Sequence, residues 1–381
     1  MTGSGGPVAV FSGGGTGGHL YPALTLADTL KRLRPDVRTY FVGARRGVEA
    51  RVLPERGVEH TLLPVEGFSR DRLWANLRVL RILVGALREL TRLFQRLRPH
   101  LVVVTGGYAG GPAGLVAGIL GVRLVIQEQN AVPGLTSRVL SLWAREVHLA
   151  FPEARDWLPS VSRHKARMSG NPVAPPVPLD PGEARSRFGL DPEGTVVLVV
   201  GGSQGSRALN QAVSEAVAGI LRDELHRPPP LQLLWATGPA HEEAIRRELG
   251  GEGKPSWLRI VGYIQEMPAA LAAATLAVSR GGAMATSEFL AWGLPAVLVP
   301  LPTAAADHQT RNAVALEAAG AAVHLPEAEL DAKGLWSRVL ELVEDRDRLH
   351  AMSGAARARG RPQAARAIAE SLARHLPRRA S

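Results

Sequence analysis

Val8-Ala9-Val10-Phe11-Ser12-Gly13-Gly14-Gly15-Thr16-Gly17-Gly18-His19-Leu20 reads as an apolar strand over Val8–Phe11, a glycine turn, and the entrance to a helical pattern from about Leu20 to Leu33. Glycines between strand and helix leave backbone N–H groups open and let a bulky anion come close. The helix start adds roughly half a positive charge. The stretch is therefore a seat for phosphate or another anion, and it sets the rest of the chain in an α/β frame.

The spacing Gly13-x-Gly15-x-x-Gly18 matches the dinucleotide fingerprint, which also requires an acid at the end of the second strand. That strand, Arg38–Val42, runs into Gly43-Ala44-Arg45-Arg46, with no acid, so NAD is disfavoured. No Gly-Lys-Ser/Thr follows, which excludes a P-loop. His19 stands at the helix entrance, where the dipole disfavours the imidazolium. A neutral imidazole beside an anion seat can act as a general base. It can equally donate to a phosphate or cap the turn.

Outward from this stretch, strand and helix alternate. Strands are expected at His60–Leu63, Leu101–Thr105, Arg123–Ile126 and Val147–Ala150, with a long helical pattern over Arg72–Leu97. Alternation of this kind builds a parallel sheet covered on both faces, with ligand at the carboxyl ends of the strands. Asn171-Pro172-Val173-Ala174-Pro175-Pro176-Val177-Pro178 is too proline-dense for helix or central strand and reads as an interdomain linker. Alternation then restarts, with strands at Val196–Val200, Gln232–Ala236, Leu258–Val261, Leu276–Ser279, Ala296–Val299 and Ala322–Leu325, and helix from Leu335 to about His375. The expected architecture is two doubly wound, Rossmann-like domains facing across a cleft. Residues 1–172 form the first, 173–360 the second, and 361–381 a C-terminal helix returning to the first.

The 381 residues carry a net charge of +10, almost entirely from arginine, and no cysteine. Disulfides, thiol catalysis and cysteine-held metals are excluded. With no signal-like N-terminus, a reducing cytoplasmic location is the default. Arginines interrupt the apolar runs before they could span a bilayer. The positive charge favours an anionic partner.

Several further stretches carry chemistry. Thr105-Gly106-Gly107-Tyr108-Ala109-Gly110-Gly111 is a second glycine loop after a strand, and two such loops at neighbouring strand ends suit a diphosphate. Glu128-Gln129-Asn130 closes the next strand, where polar side chains face ligand or cap a helix. Gly201-Gly202-Ser203-Gln204-Gly205 and Ser279-Arg280-Gly281-Gly282-Ala283 repeat the scheme in the second half. Glu288, about a turn into the latter helix, can accept from a ribose diol or simply favour the dipole. Asp307 to Asn312 is dense in hydrogen-bonding side chains, as sugar recognition requires. Asp345-Arg346-Asp347 has the spacing of a metal-diphosphate motif but lies among charged helical residues and reads as a solvated face. No metal site and no cofactor are expected. The helix start at Ala283–Thr286 supplies positive charge instead. Ser69–Leu97 mixes apolar and basic residues too widely for one stripe. It reads either as a helix packed on the sheet or as a contact with an anionic membrane surface through Trp74, Leu77, Arg78, Leu80 and Arg81.

Together Gly14–His19, Gly106-Gly107-Tyr108, Glu128-Gln129-Asn130, Gly170-Asn171-Pro172-Val173, Gly201–Gly205, Ser287-Glu288 with Gly293-Leu294-Pro295, and Gln309 with Asn312 resemble the MurG family of peptidoglycan glycosyltransferases over nearly the whole chain. The resemblance implies a GT-B fold and inverting transfer of N-acetylglucosamine from UDP-GlcNAc to lipid I. It also implies attachment to the cytoplasmic face of the membrane and association with other cell-wall synthesis proteins. It assigns Thr16, Gly17, Gly18, Asn130, Ser203, Ile264, Ala283, Met284, Ala285, Thr286, Ser287, Glu288 and Gln309 to UDP-GlcNAc. Gly14, Gly15, Gly106, Gly107 and Tyr108 fall to the acceptor diphosphate, and His19 is the candidate base with Glu128 second. Where the family has arginine after Gly-Asn-Pro-Val, this chain has Ala174. Two rivals stand beside this reading. One is a UDP-GlcNAc 2-epimerase of the same fold, and the apolar-basic stretch speaks against it. The other is a basic RNA-binding protein. An aromatic content of 5% with no interleaved aromatic-basic platform speaks against any nucleic acid partner.

Overall fold

A computed structural model describes residues 6–65, 73–250 and 255–378, with the backbone alone over 73–80. The chain divides into two compact units, Met1–Val173 with Gln363–Ser381, and Ala174–Pro362.

In the first unit β1 (Val8–Ser12), α1 (Gly17–Leu33), β2 (Arg38–Ala44), α2 (Glu49–Glu55), β3 (His60–Leu63), α3 (Leu73–Leu97), β4 (Leu101–Val104), α4 (Gly107–Ile119), β5 (Arg123–Glu128), α5 (Leu135–Leu140), β6 (Glu146–Leu149) and β7 (Ala166–Met168) follow one another. The sheet is parallel throughout, in the order β3-β2-β1-β4-β5-β6-β7. Side chains alternate across it. Ala9 and Phe11 pack under α1 with Leu20, Leu24 and Leu30. Val8 and Val10 pack on the opposite face with Val102, Leu90 and Phe94. The second half of α3 therefore takes the packed reading, since Ala86, Leu90, Leu93 and Phe94 are all buried at helical spacing. β7 was not expected. It is a three-residue edge strand held to β6, too short to show a period.

In the second unit β8 (Thr195–Val200) follows α6 (Pro181–Arg187). Next come α7 (Arg207–Leu221), β9 (Leu231–Ala236), α8 (Glu242–Glu248), β10 (Leu258–Val261), α9 (Met267–Ala273), β11 (Leu276–Ser279), α10 (Ala283–Trp292), β12 (Ala296–Leu298), α11 (His308–Ala318), β13 (Ala322–His324), α12 (Ala332–Glu344) and α13 (Arg346–Arg359). The order is β10-β9-β8-β11-β12-β13, again all parallel. Trp235 is the largest fully buried side chain, and its Nε1 donates to Asn210 Oδ1 at 3.1 Å. Asp345 caps α13 by accepting from Arg348 N at 2.9 Å, so this acidic pair serves a helix start.

The expected helical stretch from Leu335 to about His375 is divided among three helices, interrupted at Asp345 and at Gly360-Arg361-Pro362. The last, α14 (Ala364–Arg374), belongs to the first unit, where Ile368, Ala369 and Leu372 join the α1 side of the core. Ser371 Oγ donates to Glu146, and Arg123 donates to the carbonyl of His375 at 3.1 Å. Glu146 also faces His148 Nε2 at 3.2 Å, and the hydrogen bond from His148 holds its carboxyl down to about 2.

Candidate active site

In each sheet the strand order reverses beside the first strand, so the ends of β1 and β4, and of β8 and β11, form the crevices where such folds take ligands. The glycine loops fall at these two places.

In the first unit the two loops touch. Gly107, at φ +75°, lies so close to Gly14 that an added Cβ would be 2.0 Å from the Gly14 carbonyl oxygen. Tyr108 packs its ring over Gly15, where a Cβ would meet it at 2.4 Å. The His19 ring lies on Gly106, which has φ +97° and no room for a side chain. Thr105 Oγ1 donates to the His19 carbonyl at 2.7 Å and pins the helix entrance to β4. His19 Nδ1 lies 3.1 Å from Thr16 Oγ1, and the ring is half-buried. The contact to Thr16 orients the ring at the entrance of α1. Thr16 and Gly18 are exposed and Gly17 is half-buried at the start of α1.

Two of the expected residues are held by the protein's own groups here. Gly15 does not offer its amide to a ligand. It donates to Glu49 Oε1 and Oε2, each at 3.0 Å, and Glu49 Oε1 also accepts from Ala44 N at 2.8 Å. Glu49 is fully buried beneath the loop, and a Cβ on Gly14 or Gly47 would strike its carboxylate. An acid does therefore reach the end of the second strand, but from α2, and it braces the loop rather than a ribose. Glu128 likewise braces its own loop. It is 3% exposed, its Oε1 accepts from Asn130 N at 3.1 Å, and its Oε2 accepts from Gly134 N at 3.2 Å. Burial pushes its carboxyl up against these bonds. It thereby fixes Asn130, whose Nδ2 is 3.3 Å from Glu128 Oε1. Gln129 and Asn171 extend the network, with Asn171 Nδ2 donating to the Gln129 carbonyl at 3.1 Å.

In the second unit a hollow of about 570 Å3 opens between the starts of α7 and α10. Gly202, Ser206, Gly282, Ala285 and Gln309 are among its walls. The α10 start has no side-chain cap and no acid in its first turn, which suits an anion. Arg280 is 8% exposed. It pairs with Glu327 at 2.5 Å and donates to the carbonyls of Val299 and Pro300 at 3.1 and 3.2 Å. Gln309 Oε1 accepts from Leu301 N at 3.0 Å, which orients its amide, and Asn312 holds the Gly281 carbonyl at 3.1 Å. Ser203 is exposed at the tip of the first turn, and Met284 and Ser287 are half-buried on α10. Thr286 is turned inward, its Oγ1 donating to Gly282 O at 3.1 Å, so its hydroxyl is committed to its own helix. Ile264 is buried beside exposed Tyr263, where a separate hollow of about 520 Å3 opens past β10.

Glu288 has the most unusual environment. It is half-buried on α10, accepts from no other described residue, and burial pushes its carboxyl up to about 7. A desolvated acceptor without a protein donor is an acceptor waiting for one.

Of the proposed membrane residues, Arg81 is exposed, while the side chains of Trp74, Leu77, Arg78 and Leu80 lie outside the described residues. The sequence pattern did not mark another exposed apolar and basic patch. Trp143 packs on Gly118 of α4 and is 47% exposed, beside Ile119 at 73% and Leu142 at 45%. A hollow of about 410 Å3 next to them is ringed by Arg145, His164, Lys165 and Arg167. Only the fold brings these basic side chains to the end of α4. No described helix is long and apolar enough to cross a membrane.

Two doubly wound parallel units with glycine-turn crevices define a GT-B glycosyltransferase fold. The family 28 glycosyltransferase models match both parts of the chain, the N-terminal domain over residues 9–149 and the C-terminal domain over 196–370. A protein of Salinibacter ruber named UDP-N-acetylglucosamine–N-acetylmuramyl-(pentapeptide) pyrophosphoryl-undecaprenol N-acetylglucosamine transferase is 42% identical over 96% of each chain. The crystal structure of Acinetobacter baumannii MurG superposes with TM-score 0.76 at 27% identity, covering 97% of this chain and 99% of that one. The chain belongs to the MurG family of glycosyltransferases. A putative UDP-N-acetylglucosamine 2-epimerase of Listeria monocytogenes superposes with TM-score 0.66 at 15% identity over 97% and 96% of the two chains, a likeness of fold alone.

Proposed function

We propose that this protein transfers N-acetylglucosamine from UDP-GlcNAc to the 4-hydroxyl of the muramyl sugar of lipid I, inverting the anomeric carbon and giving lipid II and UDP. The full-length kinship to transferases of that name carries the reading. The Glu288 carboxyl, unpaired among the described residues and beside an uncapped helix start, supports it, because a nucleoside diphosphate sugar presents a ribose diol and a diphosphate together. Glu288 accepts from the diol. The α10 start, Ser203 and the oriented amide of Gln309 hold the diphosphate and sugar, and the backbone at Ile264 reads the base. From the first unit, Thr16, Gly17, Gly18 and Asn130 contact the donor sugar, while Gly14, Gly106, Gly107 and Tyr108 take the acceptor diphosphate. His19 Nε2 removes the proton of the 4-hydroxyl as its oxygen attacks C1, and UDP departs.

The acceptor is a lipid, so the first unit must lie on a membrane, which the proposal places at the cytoplasmic face. Ile119, Leu142 and Trp143 beside Arg145, Lys165 and Arg167 have the composition for it, apolar groups to enter the interface and cations for anionic headgroups.

Proton NMR of the product from UDP-GlcNAc and a short-chain lipid I analogue tests the reaction, with a β-linked N-acetylglucosamine expected. With UDP-GlcNAc alone, the donor should persist. Its conversion to the 2-epimer would favour the epimerase instead.

A further inference from the structure

The charge of the second-unit hollow does not balance. Its buried cation, Arg280, is neutralised by Glu327 and by two carbonyls. Its other cation, Arg207, is not. Arg207 is exposed at the first position of α7 and makes no hydrogen bond or ion pair with any described residue. The helix positions that could pair with it, one turn on, are Asn210 and Gln211, and no acid stands in the first turn. A cation at the positive end of a helix is unfavourable. The position therefore works against the helix it opens, which is where functional residues are found. Ser206 already caps α7, its Oγ accepting from Leu209 N at 3.4 Å, so Arg207 is not needed to end the turn. Across the hollow the uncapped start of α10 adds positive potential from the other side.

We propose that the Arg207 guanidinium binds the donor diphosphate and stabilises the departing nucleoside diphosphate, an inference that rests on the reading of the hollow as the UDP-sugar site. The guanidinium fork matches two non-bridging phosphate oxygens, one on each phosphate. When the bond from C1 to the β-phosphate oxygen breaks, its electron pair stays on that oxygen. The negative charge grows where Arg207 and the α10 start already face it. No proton moves at Arg207, and the proton of the acceptor hydroxyl goes to His19.

Calorimetry of UDP and of uridine with the full chain tests this. UDP affinity in Arg207→Ala should fall about 10- to 100-fold, the range for a lost hydrogen-bonded charge pair. Uridine affinity should be unchanged, and Arg207→Lys should recover part of the loss. The kcat with UDP-GlcNAc should fall in the same order. Equal UDP affinity in Arg207→Ala and the unaltered chain would overturn the inference while leaving the donor site in place. Failure of the unaltered chain to bind UDP would overturn the donor-site reading, and the inference with it.

Discussion

Glu288 offers a sharp perturbation, because its carboxyl is held at about 7 by burial and has no described protein donor. Two ribose hydroxyls donating to the ionised form contribute about 1.5–3 kcal/mol each, and ionising the half-protonated group at neutral pH subtracts only about 0.4 kcal/mol. Glu288→Ala should therefore weaken UDP-GlcNAc binding by about 10²- to 10⁴-fold. Donation to the ionised form lowers the carboxyl's pKa in the complex. Affinity should then rise about tenfold per pH unit from pH 5.5 towards 7, flatten above about 8, and be accompanied by proton release. The sugar diphosphate is a diester without a secondary ionisation in that range, so the slope reports the protein. Calorimetry from pH 5.5 to 8 in buffers of different ionisation enthalpy reads both quantities, and Glu288→Gln should lose the slope. The free protein carries the opposite sign. A carboxyl raised from 4.5 to about 7 stabilises the fold below 4.5, and that contribution is lost as pH rises through about 7. A flat affinity profile in the unaltered chain, or the same slope in Glu288→Gln, would refute the assignment.

His19→Ala should lower kcat by about 10²- to 10⁴-fold with little change in UDP affinity, and a near-normal kcat would leave His19 as a donor to phosphate only. Glu146→Gln should lower first-unit stability by about 1–3 kcal/mol at neutral pH by loosening α14. Because this carboxyl is depressed from 4.5 to about 2, its contribution is present above 4.5 and lost as pH falls through about 2, so thermal melts of the variant and the parent should converge in acid. Replacing Trp143 and Ile119 with serine, and Arg145 and Arg167 with glutamate, should abolish sedimentation with anionic vesicles while a water-soluble acceptor is still turned over. Unchanged sedimentation would move the docking surface elsewhere, Ser69–Leu97 first.

What could be read from the chain alone follows the range of the interaction. The glycine loops, both doubly wound halves and most strand limits are written in local pattern, since strand apolarity and turn chemistry act within a few residues. Glu49 escaped that reading. Its role depends on α2 reaching back to the amide of Gly15, and only the sterics of Gly14, Gly43 and Gly47 around it hint at the contact. Glu128 looked like a ligand-facing group because its position on β5 is right, but the loop over residues 130–134 closes on its oxygens. Arg207 resembles any helix-entry arginine until the hollow shows that no described residue balances it. Ile119, Trp143 and Lys165 come together only through packing between α4, α5 and β7 and carry no sequence period.

The central claim is group transfer to a lipid-linked acceptor, and incubation with UDP-GlcNAc and a lipid I analogue tests it most directly. Mass analysis should show the acceptor gaining one N-acetylhexosamine with release of an equal amount of UDP. Consumption of UDP-GlcNAc without any gain in acceptor mass would contradict the account.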